Sequence, residues 1–353
     1  MVIRKAPQQI KQEILDFLFE GPKGINEIAE KIGSNWPTTN SYLEKLKEEN
    51  AVNEILITDK MKVFRRTDDP VYFSIPFNKE TRMKTLFILK EVEQRWKKET
   101  GTELSKTALQ KIAVDVIKSC NLDLPILNFH YGMTTCASFD SNNQSILSLI
   151  EEPQNKNEIL NCIKKVFEDK EHTGIAYQER EYQYRKYNMP FYSSKEKLTK
   201  LFLSCSKNKS GNKEFNLDIQ KALLELSLNF PLKLEKLYSD FEEFVSNAQI
   251  VLLNPHNEIQ NLEIIKGTLV QLWDKLTTFT SFNDSEQFID KENKQLFEQI
   301  RELNLNFKEM NYKGYIEELE SVAQETNPFE IKMPQSDSSN EIQKLILEGL
   351  ENE

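Results

Sequence analysis

INEIAEKIG (25–33), SNWPTTNSY (34–42) and LEKLKEENAV (43–52) run together without a gap. Ile25, Ile28, Ala29 and Ile32 recur at helical spacing, and Gly33 supplies the left-handed residue that closes such a helix. After Ser34, Asn35 is suited to cap a further helix, with Pro37 in its first turn and Thr39, Leu43 and Leu46 on its inner side. That helix is expected to end at Asn50, a residue that tolerates left-handed backbone. Working outward, QQIKQEILDFLFE (8–20) places Ile10, Ile14, Phe17 and Leu18 on one helical stripe, with Pro7 at its start and Gly21-Pro22 beyond its end. Downstream, EILIT (54–58) and MKVFR (61–65) flank Asp59-Lys60, the pattern of two short strands and a tight turn.

Three helices followed by a β-hairpin resemble a winged helix-turn-helix DNA-binding domain over the first 65 or so residues. The resemblance implies that the third helix enters the major groove while the wing touches phosphates. The groups facing the duplex would then be Trp36, Thr38, Asn40, Ser41, Tyr42 and Lys45 on the helix, and Lys60, Lys62, Arg65 and Arg66 on the wing. Two protomers using four wing cations each would make roughly eight phosphate contacts and bind with a steep salt dependence. Winged helices also dock proteins, and residues 1–75, with 11 basic and 12 acidic groups, lack a strongly basic footprint.

Composition bounds the alternatives. The 353 residues hold only 10 glycines, and no G-x-x-x-x-G-K-[ST], G-x-G-x-x-G or G-x-S-x-G occurs, which argues against glycine-rich phosphate loops and a strand-rich fold. Four cysteines (Cys120, Cys136, Cys162, Cys205) lack any C-x-x-C spacing, and the three histidines (His130, His172, His256) stand apart from one another. A metal site is therefore not expected, and neither is a cofactor; a fully reduced, cytoplasmic protein is. No apolar run approaches the roughly 20 residues of a membrane span, and the N-terminus lacks a signal-peptide core. The net charge of −10 is local: residues 284–353 carry 7 basic and 17 acidic groups, so the excess is far from the N-terminal module.

The remainder reads as mainly helical. Residues 76–175 form a helical domain with stripes at Met83, Leu86, Phe87, Val92 and Trp96, then Leu109, Ile112, Ala113, Val116 and Ile117. Residues 176–213 are a basic aromatic connector, in which nine cations interleave with five tyrosines and Phe191. A long loop with hydrated lysines outweighs a nucleic-acid surface there. Residues 214–326 read as a helical bundle, and Leu296, Ile300, Leu303, Phe307 and Met310 repeat at 4-3-4-3 spacing, the seam of a coiled coil, which serves either packing within its own bundle or a dimer contact. Residues 327–353 are a linker and a short amphipathic helix that must dock on something, a protein partner included. No nucleophile–base pair or paired carboxylate has diagnostic spacing, so no enzyme is expected. The expected function is a double-stranded DNA-binding transcriptional regulator acting as a homodimer. The alternatives are a helical scaffold and a DNA-binding protein of replication or mobile-element maintenance.

Overall fold

A computed structural model describes residues 7–19, 21–58, 61–66, 75–138, 150–169, 171–204, 213–253 and 259–326. It is mainly helical, with twelve α-helices and two small antiparallel sheets among those residues. The first unit runs α1 (Pro7–Phe19), β1 (Lys23–Gly24), α2 (Ile25–Ile32), α3 (Trp36–Glu48), β2 (Val52–Thr58) and β3 (Met61–Arg66). Its sheet has the order β1-β3-β2, with a register shift between Glu54 and Leu56. β1 is too short to leave a period in sequence. It forms by pairing with β3, Lys23 opposite Phe64 and Gly24 opposite Val63, and the Gly24 N–H then donates to the Glu27 carboxylate at 2.7 Å, opening α2 directly off the strand. Gly33 closes α2 at φ 68°, and Asn50 follows α3 at φ 54°, as the sequence predicts. The core is Ile14 and Leu18 of α1, Ile25, Ile28 and Ile32 of α2, Leu43 and Leu46 of α3, and Val52 and Phe64 of the sheet.

A second unit follows. α4 (Lys79–Thr100) starts where the Asn78 side chain accepts the Thr81 N–H at 2.7 Å and stops at Gly101, φ 73°. α5 (Lys106–Ser119) is capped by Ser105 in the same way. α6 (Lys156–Glu168) packs against both, burying Ile112, Val116, Leu86, Leu89, Ile159 and Ile163 together. The unit is not purely helical: Ile126–Phe129 (β4) and Gly132–Thr135 (β5) pair as a hairpin, turning at His130-Tyr131. The expectation of four unpaired thiols is also corrected. Cys120, at the end of α5, and Cys162, on α6, form a disulfide with Cα atoms 5.9 Å apart, while Cys136 is a buried free thiol. Spacing along the chain could not show this, because the packing of two helices and not a motif brings the sulfurs together.

The stretch read as a connector is instead largely helical, as α7 (Ala176–Lys186) and α8 (Pro190–Ser204). Its cations are mostly partnered rather than simply hydrated: Arg180 with Glu196 at 3.0 Å, Lys200 with Glu181 at 2.9 Å, and Lys197 with Glu225. Phe191, Leu198 and Phe202 of α8 join the largest core, with α9 (Lys213–Leu228), α10 (Tyr238–Leu253), α11 (Ile259–Ser285) and α12 (Lys294–Thr326). A 3₁₀ turn over Leu232–Leu237 leads into α10. Along the expected α12 seam, Ile300 is buried, whereas Leu303, Phe307 and Met310 are exposed. A further cluster joins the units: Ile75, Phe77, Leu127, Phe282, Phe297 and Ile300 are buried together, with Ile55 of β2 packed against them. The proposed tail, 327–353, lies outside the described residues.

Candidate nucleic-acid interface

α3 is fixed at its N-terminus by Asn35, whose side chain accepts the Thr38 N–H at 3.0 Å and whose carbonyl accepts the Thr39 hydroxyl at 3.0 Å. With Thr39, Leu43 and Leu46 turned inward, Trp36, Thr38, Ser41 and Lys45 are exposed, and Asn40 and Tyr42 are half-buried, one on each flank of the buried stripe. Lys45 stands 5.8 Å from the centre of the Tyr42 ring. The six helix residues singled out from the sequence therefore all lie outside the buried stripe of α3, spread around the rest of its circumference, with Trp36 and Asn40 on the hairpin side.

The hairpin contributes less than expected. Lys62 reaches across from β3 and donates to Asn40 Oδ1 at 3.2 Å, with its ammonium 5.9 Å from the Trp36 ring centre. Two carboxylates flank it, Glu54 at 3.7 Å and Glu44 at 3.8 Å. Glu54 also accepts from Lys47 at 2.7 Å, and that hydrogen bond raises the Lys47 pKa above its ordinary value. Arg65 and Arg66, expected as phosphate contacts, are only 5% and 9% exposed. They stand at the C-terminal end of β3, past its pairing with β1, with Arg65 opposite Asn53 and Arg66 opposite Val52 of β2. Buried to that degree, neither side chain presents its charge as an exposed wing contact. Lys60 lies outside the described residues.

A second polar constellation had no signature in the sequence. His172, with its side chain 5% exposed, sits between Asp115 of α5 and Glu179 of α7, Nε2 3.1 Å from one carboxylate and Nδ1 2.8 Å from the other. Asp115 also accepts from Lys186 at 2.8 Å and from the Tyr187 hydroxyl. The other Glu179 oxygen accepts the N–H groups of Thr173 and Gly174, at 2.6 and 2.9 Å. Burial opposes charge on His172, but the two carboxylates outweigh it and push its pKa up to about 9. Burial likewise opposes charge on Asp115, and His172, Lys186 and Tyr187 together hold it well below the usual carboxylate range. Nearby, Lys111 donates to the Met133 carbonyl at 2.6 Å, and desolvation followed by the Arg180 charge lowers its pKa to about 7. His130 meets Asp274 at 3.0 Å, and Asp274 also takes Lys308, a satisfied structural histidine. The spacing of 57 residues between Asp115 and His172 is invisible to motif reading.

These groups tie helices together. Among the described residues no cluster of three or more His, Cys, Asp or Glu side chains could hold a metal, and no helix is long and apolar enough to cross a membrane. Compared with known family models, curated proteins and solved structures, the chain gives no match to any of them.

Proposed function

We propose that residues 7–66 are a winged helix that reads double-stranded DNA, and that the protein acts as a dimeric transcriptional regulator. The observation that carries this reading is the 3.2 Å hydrogen bond from Lys62 to Asn40. It joins hairpin and helix, so that Trp36 and Asn40 stand beside the hairpin, while Thr38, Ser41 and Lys45 are exposed further around the helix. An α-helix fits the roughly 12 Å wide major groove, where Asn40, Ser41 and Thr38 meet base edges and Trp36 and Tyr42 pack on sugar or base faces. Lys45 and Lys62 are the phosphate contacts. A dimer thereby makes about four, for a slope of log K against log salt near −4. Leu303, Phe307 and Met310, exposed along α12, supply an apolar face for the second copy.

One observation favours protein docking instead: Glu44 and Glu54, beside Lys62, offset the positive charge a phosphate needs. Fluorescence anisotropy of the full chain on mixed-sequence duplex DNA, at two salt concentrations, separates the two. Salt-sensitive binding is expected. Changing Lys45→Ala and Lys62→Ala together should flatten the salt slope and weaken all sequences alike, while Ser41→Ala should alter preference among sites. Absence of binding at micromolar protein and low salt refutes DNA reading and leaves protein docking.

A further inference from the structure

A cavity of about 650 Å³ opens where the second unit meets the helical bundle. That volume lies within the range of small-molecule sites and far above the water-sized voids of an ordinary core. Its apolar wall comes from Met133 on β5, Phe191 and Tyr192 on α8, Trp273 and Leu276 on α11, and Phe288 just beyond α11. Phe191 and Trp273 are tilted 31° to each other with ring centres 4.8 Å apart, and Tyr192 meets Trp273 edge-on at 5.1 Å. Trp273 is 1% exposed and packed against Phe191 and Tyr192, so its ring backs the wall rather than standing free in it.

The polar groups divide between two ends. At one, Asp284 accepts from Asn128 at 2.7 Å and from Lys233 at 3.4 Å, so these groups already satisfy one another. Thr277 and Thr280 donate back to helix carbonyls at 2.9 and 2.8 Å, leaving only acceptor lone pairs. At the other end Lys118, exposed at the mouth, makes no ion pair with a described carboxylate, its ammonium lying 4.8 Å from the Tyr187 ring centre and 3.6 Å from the Met133 sulfur. An aromatic wall with one uncompensated cation at the rim selects a flat aromatic body bearing an anionic group.

We infer that this cavity is a binding site for a small aromatic carboxylate or sulfonate, held by stacking in the Phe191–Trp273 wall with its anion toward Lys118. Phe288 lines the cavity and also packs in the cluster that includes Ile55 of β2. Occupancy therefore bears on β2, a strand of the wing hairpin itself, and the site is an effector site. Only that regulatory consequence rests on the DNA-reading proposal; binding does not.

The test uses the full chain and the fluorescent dye 8-anilinonaphthalene-1-sulfonate, which has the stated chemistry. Saturable binding at one site is expected, with tryptophan emission quenched by transfer to the dye. Met189→Trp, at the half-buried rim, should fill the mouth and weaken binding about tenfold, a loss of about 1.4 kcal/mol. Lys118→Glu, on the exposed surface, should weaken it about three- to tenfold and remove its salt dependence. Dye binding that both Met189→Trp and Lys118→Glu leave unchanged, in variants with the parent's circular dichroism, overturns the site. So does non-saturable binding, which places the dye on exposed leucines such as Leu228 and Leu232. If the dye binds as expected while the chain binds no duplex, the cavity stands and the DNA-reading proposal alone fails.

Discussion

His172 provides the sharpest test of the packing between α5 and α7. Both of its ring nitrogens face carboxylate oxygens, at 2.8 and 3.1 Å, so both must donate and the ring is held as imidazolium. Its pKa rises from 6.5 in the unfolded chain to about 9 in the fold. The folded state therefore holds the proton more tightly, and the resulting stability is fully present below pH 6.5 and lost as pH climbs through 9. At about 1.4 kcal/mol per pH unit, the loss is about 3 kcal/mol. Two buried lysines act with the opposite sign. Desolvation lowers Lys111 to about 7 and Lys195 to about 8, so each makes the fold more stable as pH rises from those values toward 10.5. The parent's own stability curve is therefore partly flat, and the contribution of His172 is isolated by subtraction. Urea denaturation of the parent and of His172→Gln, followed by circular dichroism from about pH 6 to about pH 10, should show the parent's advantage shrinking by about 3 kcal/mol across that range. An NMR titration of the imidazole gives the folded pKa directly. A midpoint at or below 6.5, or a parent-minus-variant difference independent of pH, refutes the double-donor geometry.

Other expectations follow from particular contacts. Gly132 adopts φ +89°, and an added Cβ would lie 2.6 Å from Gln183 Oε1 and 2.8 Å from the Tyr184 ring, so Gly132→Ala should cost roughly 2 kcal/mol or more in denaturant titration. The Cys120–Cys162 disulfide closes a sequence separation of 42 residues. Replacing both by serine should lower stability by up to about 4 kcal/mol, and an unchanged melting temperature on adding reductant to the parent would contradict the bond. Arg65→Ala with Arg66→Ala should lower the unfolding midpoint and leave the salt slope of DNA binding unaltered, because both side chains are interior. A flattened slope at unchanged stability would return them to the wing.

The N-terminal module was legible because local periodicity alone produces it. Ile25, Ile28 and Ile32 cannot be covered except by a helix turning one face inward, Asn35 and Pro37 start the next helix through their own backbone chemistry, and Gly33 and Asn50 stop helices by tolerating left-handed φ. The same physics marked α4 and α5 by their apolar stripes. It failed for α7, whose polar composition resembles a loop until Glu179 and Tyr182 are buried against α5 and its cations meet acids on other elements. The burial of Arg65 and Arg66, the Cys120–Cys162 bond, the clamp on His172 and the cavity beside Trp273 all lay beyond reading. Each joins side chains separated by tens of residues or more, or depends on packing beyond the element itself. A repeat of 3.6 or 2 residues states which face of an element is apolar. Which element covers that face, and which charges and aromatic rings meet there, depends on every other helix and was decided only when the whole chain packed.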